Sequence, residues 1–183
     1  MVSAEWVLLM MLKAEPTSPI KHTFAKTALA IARAAERDPL FAGPLAAERT
    51  AAQLVSVAWF ESHFKPDAIG DHDRRADGTK GEPRSFCAMQ IGKSNFAALG
   101  ITRAEILGDI DVCIDAGLRM MHISYAVCRG IPIEERLAHY AGGGGSCPIH
   151  NADAVRKSKH RVAKSHWLFR AVPPPTTTTT AAL

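Results

Sequence analysis

The sequence predicts a mainly α-helical domain carrying at most a small β-hairpin. Three observations support that expectation. Long segments place apolar residues at three- and four-residue spacing, Gly and Pro cluster between those segments, and one polar, turn-rich stretch reads as a loop or a small hairpin. The chain has 183 residues, 47% hydrophobic and 22% charged, which suits one globular domain with a core of ordinary size.

The first apolar run, Trp6 to Leu12, is far too short to span a bilayer. Glu5 precedes it and Lys13-Ala14-Glu15-Pro16 follows, so it lacks the basic flank and small-residue cleavage site of a secretory signal. It is expected to form one buried face of an N-terminal helix. Ile20 to Glu36 reads as the next helix, rich in alanine, with Phe24, Leu29 and Ile31 as its apolar positions. Asp38-Pro39 ends it and Gly43-Pro44 marks a turn. Leu45 to Phe64 is expected to be helical, with Leu54, Val57, Ala58 and Glu61 sharing an inward face. Lys65, placed before Pro66, is pushed out of the α region and closes the segment.

Gly70 to Ser85 is the turn-rich stretch. Ser94–Leu99 and Arg103–Leu107 read as short helices, the second with Thr102 as N-cap. Asp109 to Arg129 is long and periodic through Ile114, Leu118, Met121, Tyr125 and Cys128. Gly130-Ile131-Pro132 interrupts it, Ile133 to Tyr140 is expected to resume as a helix, and the glycine run 142–145 cannot continue one cheaply. Asn151 to Phe169 is a basic helix, read either as a solvated face or as a wall-binding or nucleic-acid-binding face. Pro173-Pro174-Pro175 and five threonines offer no apolar surface to bury and are expected to be disordered. The expected organisation is N-terminal helices over 1–44, a central core over 45–147, the basic helix over 148–171 and a tail over 172–183.

Cys87, Cys113, Cys128 and Cys147 contain no C-x-x-C pair, which argues against a zinc ribbon or a thioredoxin-type site. Disulfides and free buried thiols both remain open. Cys113 and Cys128 fall on one predicted helix, roughly 22 Å apart at the helical rise per residue, too far to bridge. If two bridges exist, each of this pair therefore joins Cys87 or Cys147. The formal charge of +4 fits an anionic surface such as a bacterial cell wall, and equally an ordinary basic protein.

The chemistry-bearing residues lie in three pieces. In Trp59-Phe60-Glu61-Ser62-His63-Phe64 a carboxylate ends the apolar run Leu54 to Phe60. Desolvation there raises a carboxyl pKa, as a general acid for glycosidic cleavage requires. Cys87-Ala88-Met89-Gln90 and His139-Tyr140-Ala141-Gly142-Gly143 follow. In order and spacing the set resembles the lysozyme-like lytic transglycosylases of the soluble (SLT) type and, less closely, goose-type lysozymes, from about Ala51 to Cys147.

That resemblance implies a lysozyme-like helical domain that degrades peptidoglycan, cleaving the β-1,4 bond between N-acetylmuramic acid and N-acetylglucosamine. Glu61 would act as general acid and then base, with Ser62, Met89, Gln90 and Tyr140 along the substrate groove. Cys87 and Ala88 stand where the family has Gly and Leu, and the Asn after the family's Tyr is absent. In the transglycosylases the substrate's own groups close a 1,6-anhydro ring, the outcome expected here. In goose-type enzymes an aspartate following the Glu positions a water, which makes Asp71 and Asp73 candidates for a hydrolytic alternative. The structural alternatives are an ion pair between Glu61 and Arg49 or Arg119, a Tyr140 that is merely buried, and a fold kept as a silent glycan-binding module. No cofactor or metal is expected, since H-E-x-x-H is absent and His63 and His72 lack ligand spacing. No phosphate-binding loop or G-x-S-x-G occurs either. The expected partner is the peptidoglycan glycan strand, met by a monomer without a membrane span or nucleic-acid role. The expected setting is the bacterial cell wall, reached by phage release or carriage in a virion.

Overall fold

The computed structural model describes residues 1–75, 77–142, 147 and 150–175. Among them, the chain forms α1 (Ala4–Ala14), α2 (Phe24–Arg37), α3 (Ala46–Ser62), β1 (Ile69–Arg74), β2 (Lys80–Phe86) and β3 (Ile91–Gly92). It continues as α4 (Phe96–Leu99), α5 (Arg103–Gly108), α6 (Ile110–Val127), α7 (Ala138–Gly142) and α8 (Ala152–Ala171). The protein is therefore mainly α with one small antiparallel sheet, as the periodicity indicates.

Local chemistry sets several helix starts. Ser3 Oγ accepts the Trp6 N–H ahead of α1, and Asn151 accepts from Asp153 and Ala154 ahead of α8. Thr102 and Glu105 form a reciprocal capping box on α5. The early apolar run does become the buried face of α1, through Trp6, Val7, Met10 and Met11.

One hydrophobic cluster runs from Val2 to Leu168, with α3 at its centre. Helices α1, α2, α6 and α8 all pack against α3. Its Ala51, Leu54, Val55, Val57 and Ala58 are fully buried together with Thr50, Gln53 and Ser56. A helix buried on nearly every side needs its polar groups paired. Thr50 Oγ1 donates to Ala46 O and accepts the Leu40 N–H, and Ser56 Oγ donates to Arg161 O at 2.7 Å, whereas Gln53 Nε2 has no partner among the described residues.

The turn-rich stretch folds as a hairpin. β1 pairs antiparallel with β2, Ile69 opposite Phe86 and Gly70 opposite Ser85, with a bulge between His72 and Arg74. β2 then pairs with β3. Two disulfides form: Cys87–Cys113 and Cys128–Cys147, with Cα separations of 6.1 and 5.2 Å. Cys113 and Cys128 do not pair with each other.

Three expectations need correction. Ile133 to Tyr140 is not one helix but a 3₁₀ turn, Ile133–Glu135, followed by α7. The reason is Ser124, whose Oγ donates to Arg136 O and accepts from Tyr140 N, intercepting the helix bond those groups would share. The basic helix is not simply a solvated face, because Ala154, Ser158, Arg161, Val162, Ser165 and Leu168 are buried along one stripe of α8. The tail does not begin at 172: Val172 closes α8, and its carbonyl accepts Trp6 Nε1–H at 2.8 Å. Residues 176–183 of the expected tail, and 143–145 of the glycine run, lie outside the described residues. Among the described residues, no helix is long and apolar enough to cross a membrane.

Candidate active site

Glu61 sits in the last turn of α3, where the chain reverses through two consecutive left-handed residues, His63 (φ 53°) and Phe64 (φ 64°). Such backbone is costly for side-chain-bearing residues and needs support. Phe64 is fully buried edge-on to Phe24, with ring centres 5.0 Å apart. On the other side, Glu15 at the end of α1 accepts from Trp59 Nε1 at 2.7 Å and meets His63 Nδ1 at 2.8 Å. Those two contacts, His63 first, hold the Glu15 carboxyl below its usual range. The end of α3 is thus fixed from both flanks, and the Glu61 side chain with it.

The partner of Glu61 is Arg161 of α8, whose Nη2 donates to Glu61 Oε1. Neither sequence candidate fills this role: Arg49 donates to Ala42 O, and Arg119 donates to Leu99 O. The pair is secluded, the side chains being 17% exposed for Glu61 and 5% for Arg161. Arg161 Nε and Nη1 are buried with no hydrogen-bond partner among the described residues. Glu61 Oε2 has no partner among them and is not a sealed, orphaned atom. One carboxyl oxygen is held, and the other has no hydrogen-bond partner among the described residues.

Burial and three charged groups act on the charge of Glu61. Desolvation, the strongest influence, pushes its pKa up. The charge and hydrogen bond of Arg161 pull it down, Asp71 pushes it up and Lys157 pulls it down. The net direction is upward, toward a carboxyl that keeps its proton to higher pH than an exposed glutamate.

Ser62 links this helix end to the Cys87–Gln90 turn: its Oγ lies 2.8 Å from Ala88 O and 3.2 Å from Ala58 O. The turn carries two left-handed residues, Cys87 (φ 65°) and Gln90 (φ 49°). Cys87 thus adopts a conformation that glycine takes without strain, and its N–H bond to Ala68 O and its disulfide hold it there. Gln90 donates from Nε2 to Cys87 O at 3.0 Å, and its Oε1 accepts from Ser85 Oγ at 2.7 Å. The same hydroxyl lies 3.0 Å from Asp71 Oδ2, so Asp71, Ser85 and Gln90 form one polar cluster. Gly70 makes room for it, because a Cβ there would collide with Gln90 Oε1.

The other candidates divide. Tyr140 donates its hydroxyl to Met89 O, and burial, followed by the negative charge of Glu61, holds its pKa well above the usual phenol value. It therefore lies near Glu61 but spends its proton on the turn. Met89 is fully buried against Gly117 of α6, so its expected contact with a sugar face is not available. Asp71 is exposed, left-handed (φ 48°) and close enough to act on Glu61. Asp73 is turned elsewhere, pairing with Arg84 at 3.5 Å. Sequence reasoning missed Arg161, Ser56 and Ser85. The signal for Arg161 was present in Ala154, Ser158 and Ser165, small residues on its own face of α8 that mark a closely packed seam.

Two hollows lie away from this cluster, about 190 Å³ beside Phe41, Arg49 and His166 and about 360 Å³ beside His22, Lys26 and Pro66. Glu61 lines neither. Among the described residues no group of three or more His, Cys, Asp or Glu could share a metal ion. No family model matches the chain, and neither a curated protein nor a solved structure matches it. The arrangement can give and take a proton at one oriented oxygen, beside a second carboxylate on the hairpin.

Proposed function

We propose that this protein cleaves the glycan strands of peptidoglycan at the β-1,4 bond after N-acetylmuramic acid, with Glu61 as general acid and then base, in the manner of a lysozyme-like lytic transglycosylase. The observation that carries the reading is the desolvated Glu61 carboxyl, gripped at Oε1 and without a partner among the described residues at Oε2. A glycosidic oxygen leaves only when protonated, so the donor must be neutral at working pH and aimed at one point. Further support comes from the polar hairpin edge beside it. The two disulfides suit an oxidising compartment outside the cytoplasm, where a cell wall lies.

Asp71 favours a second reading, hydrolysis by a muramidase, because its charge acts on Glu61 from across the cluster. A nucleic-acid role for α8 is disfavoured. Arg156 and Lys157 pair with Asp153, Lys159 pairs with Glu135, and Lys164 lies over Trp59 and Trp167.

Clearing of purified peptidoglycan, followed by mass spectrometry of the released fragments, tests the proposal. Wild-type protein should release fragments with 1,6-anhydro ends, one water lighter than hydrolysed ones. Glu61→Gln should lose about 10²–10⁴-fold in rate. Reducing-end products that disappear in Asp71→Asn but persist in Asp73→Asn would establish the hydrolytic route. Binding to glycan without any release by the wild type would leave a silent binding module.

A further inference from the structure

Arg161 presents a thermodynamic puzzle. Its guanidinium is almost wholly buried and makes one side-chain hydrogen bond, to Glu61, while Nε and Nη1 stay idle among the described residues. A buried ion pair is seldom more stable than an apolar pair of the same volume, and idle buried donors make it worse. Stability alone does not explain the residue.

We infer that Arg161 is a positioning residue of this site: it grips Oε1 of Glu61, leaves Oε2 facing the glycan, and favours the anionic state that Glu61 passes through in each turnover. The inference rests on the glycan-cleaving reading of Glu61. In the first step the proton on Oε2 passes to the glycosidic oxygen, which keeps the electron pair of the breaking C1–O bond. The carboxylate so formed lies against the guanidinium. In the second step it takes the proton of the attacking hydroxyl, from the sugar or from water, as that oxygen bonds to C1, and the acid is restored. A desolvated carboxyl without a cation would hold its proton too firmly to donate it and would resist existing as the base.

The position of Arg161 is itself built. Ser56 Oγ in the buried centre of α3 donates to the Arg161 carbonyl, fixing that rung of α8 against the helix that carries Glu61. The charged or titratable groups facing Glu61 are Arg161 and Lys157 from α8, Asp71 from β1 and Tyr140 from α7. Of these, Arg161 alone is hydrogen-bonded to it.

The test compares wild type, Arg161→Met and Arg161→Lys in the full chain. Activity requires protonated Glu61 and falls as pH rises through its folded-state pKa. Removing a cation within hydrogen-bond distance raises that pKa, so the alkaline limb of the rate profile should move up by about one pH unit or more in Arg161→Met. Arg161→Lys keeps the charge but loses the planar grip. Its limb should stay in place while kcat falls roughly tenfold at unchanged KM, a loss worth about 1.4 kcal/mol of transition-state stabilisation. An unmoved limb in folded Arg161→Met overturns the electrostatic role, and full kcat in Arg161→Lys overturns the grip. Titration of ¹³C-labelled glutamate carboxyls, with Glu61 assigned by its loss in Glu61→Gln, reads the same shift without turnover. If the wild type proves inactive on peptidoglycan, the functional reading fails, and an unshifted Glu61 midpoint in Arg161→Met would separately remove the inference. Should Arg161→Met not fold, an Arg161→Lys with wild-type kcat overturns it.

Discussion

Replacing Glu61 by Gln tests the fold as well as the chemistry, and the two effects can be separated by arithmetic. With side chains 5% and 17% exposed, the Arg161–Glu61 pair is shielded from water on most sides. Removing one member of such a pair typically costs about 3–5 kcal/mol, because the survivor is left as an unbalanced buried charge. Gln retains an oxygen that can accept from Nη2, which recovers part of that, so a loss of about 2–3 kcal/mol is expected. For a chain of this length the melting temperature should fall by about 4–12 °C. The double variant Glu61→Gln with Arg161→Met removes both charges and should regain most of the loss, giving a coupling of about 2 kcal/mol. Arg161→Met alone should behave differently, since its stranded carboxyl can take a proton. Its Glu61 has a folded-state pKa above the unfolded value, so the group's contribution is fully present in acid and is lost as pH rises through the folded pKa. The deficit relative to wild type should therefore be small near pH 5 and grow toward pH 8. Urea and thermal unfolding followed by circular dichroism at those two pH values measures all four proteins. A Glu61→Gln protein as stable as wild type, with strictly additive double-variant losses, would refute the reasoning and show that the Arg161 charge is satisfied elsewhere.

Two further outcomes are expected. Denatured, unreduced protein should titrate no free thiol and reduced protein four. Reduction should lower the melting temperature, as loops of 26 and 19 residues each contribute roughly 3–3.5 kcal/mol; thiols found free before reduction would contradict the pairing. Gly70→Ala should displace the Gln90 amide and weaken its bonds to Ser85 and Cys87, lowering peptidoglycan clearing more than melting temperature; unchanged clearing would show that the Gln90 cluster does not shape the site.

The helices were legible because their signals are local. Thr102 and Glu105 announce a capping box, and the three- and four-residue spacing along α3 puts Glu61 on its inward side. The hairpin was legible as a change of composition. The break before α7 was not, because it arises when Ser124, sixteen residues before Tyr140, captures a backbone bond. The burial of α8 was hidden for another reason. Its inward stripe has only Val162 and Leu168 as large apolar residues among Ala, Ser and one Arg, so it carries little apolar contrast against a strongly basic exterior. Glu61 could be singled out from its apolar neighbours, but its counter-charge could not, since Arg49 and Arg119 were no worse as sequence candidates than Arg161.

The separation of that pair in the chain has a temporal meaning. Glu61 and Arg161 stand 100 residues apart, with the hairpin, both disulfides and α6 between them. During synthesis Glu61 emerges before α8, on a helix whose neighbour has not yet been made. Only when α8 closes over α3, with Ser56 bonded to the Arg161 carbonyl, does the carboxyl gain its cation and its fixed direction. A chain that stops before α8 thus carries Glu61 without its buried counter-charge.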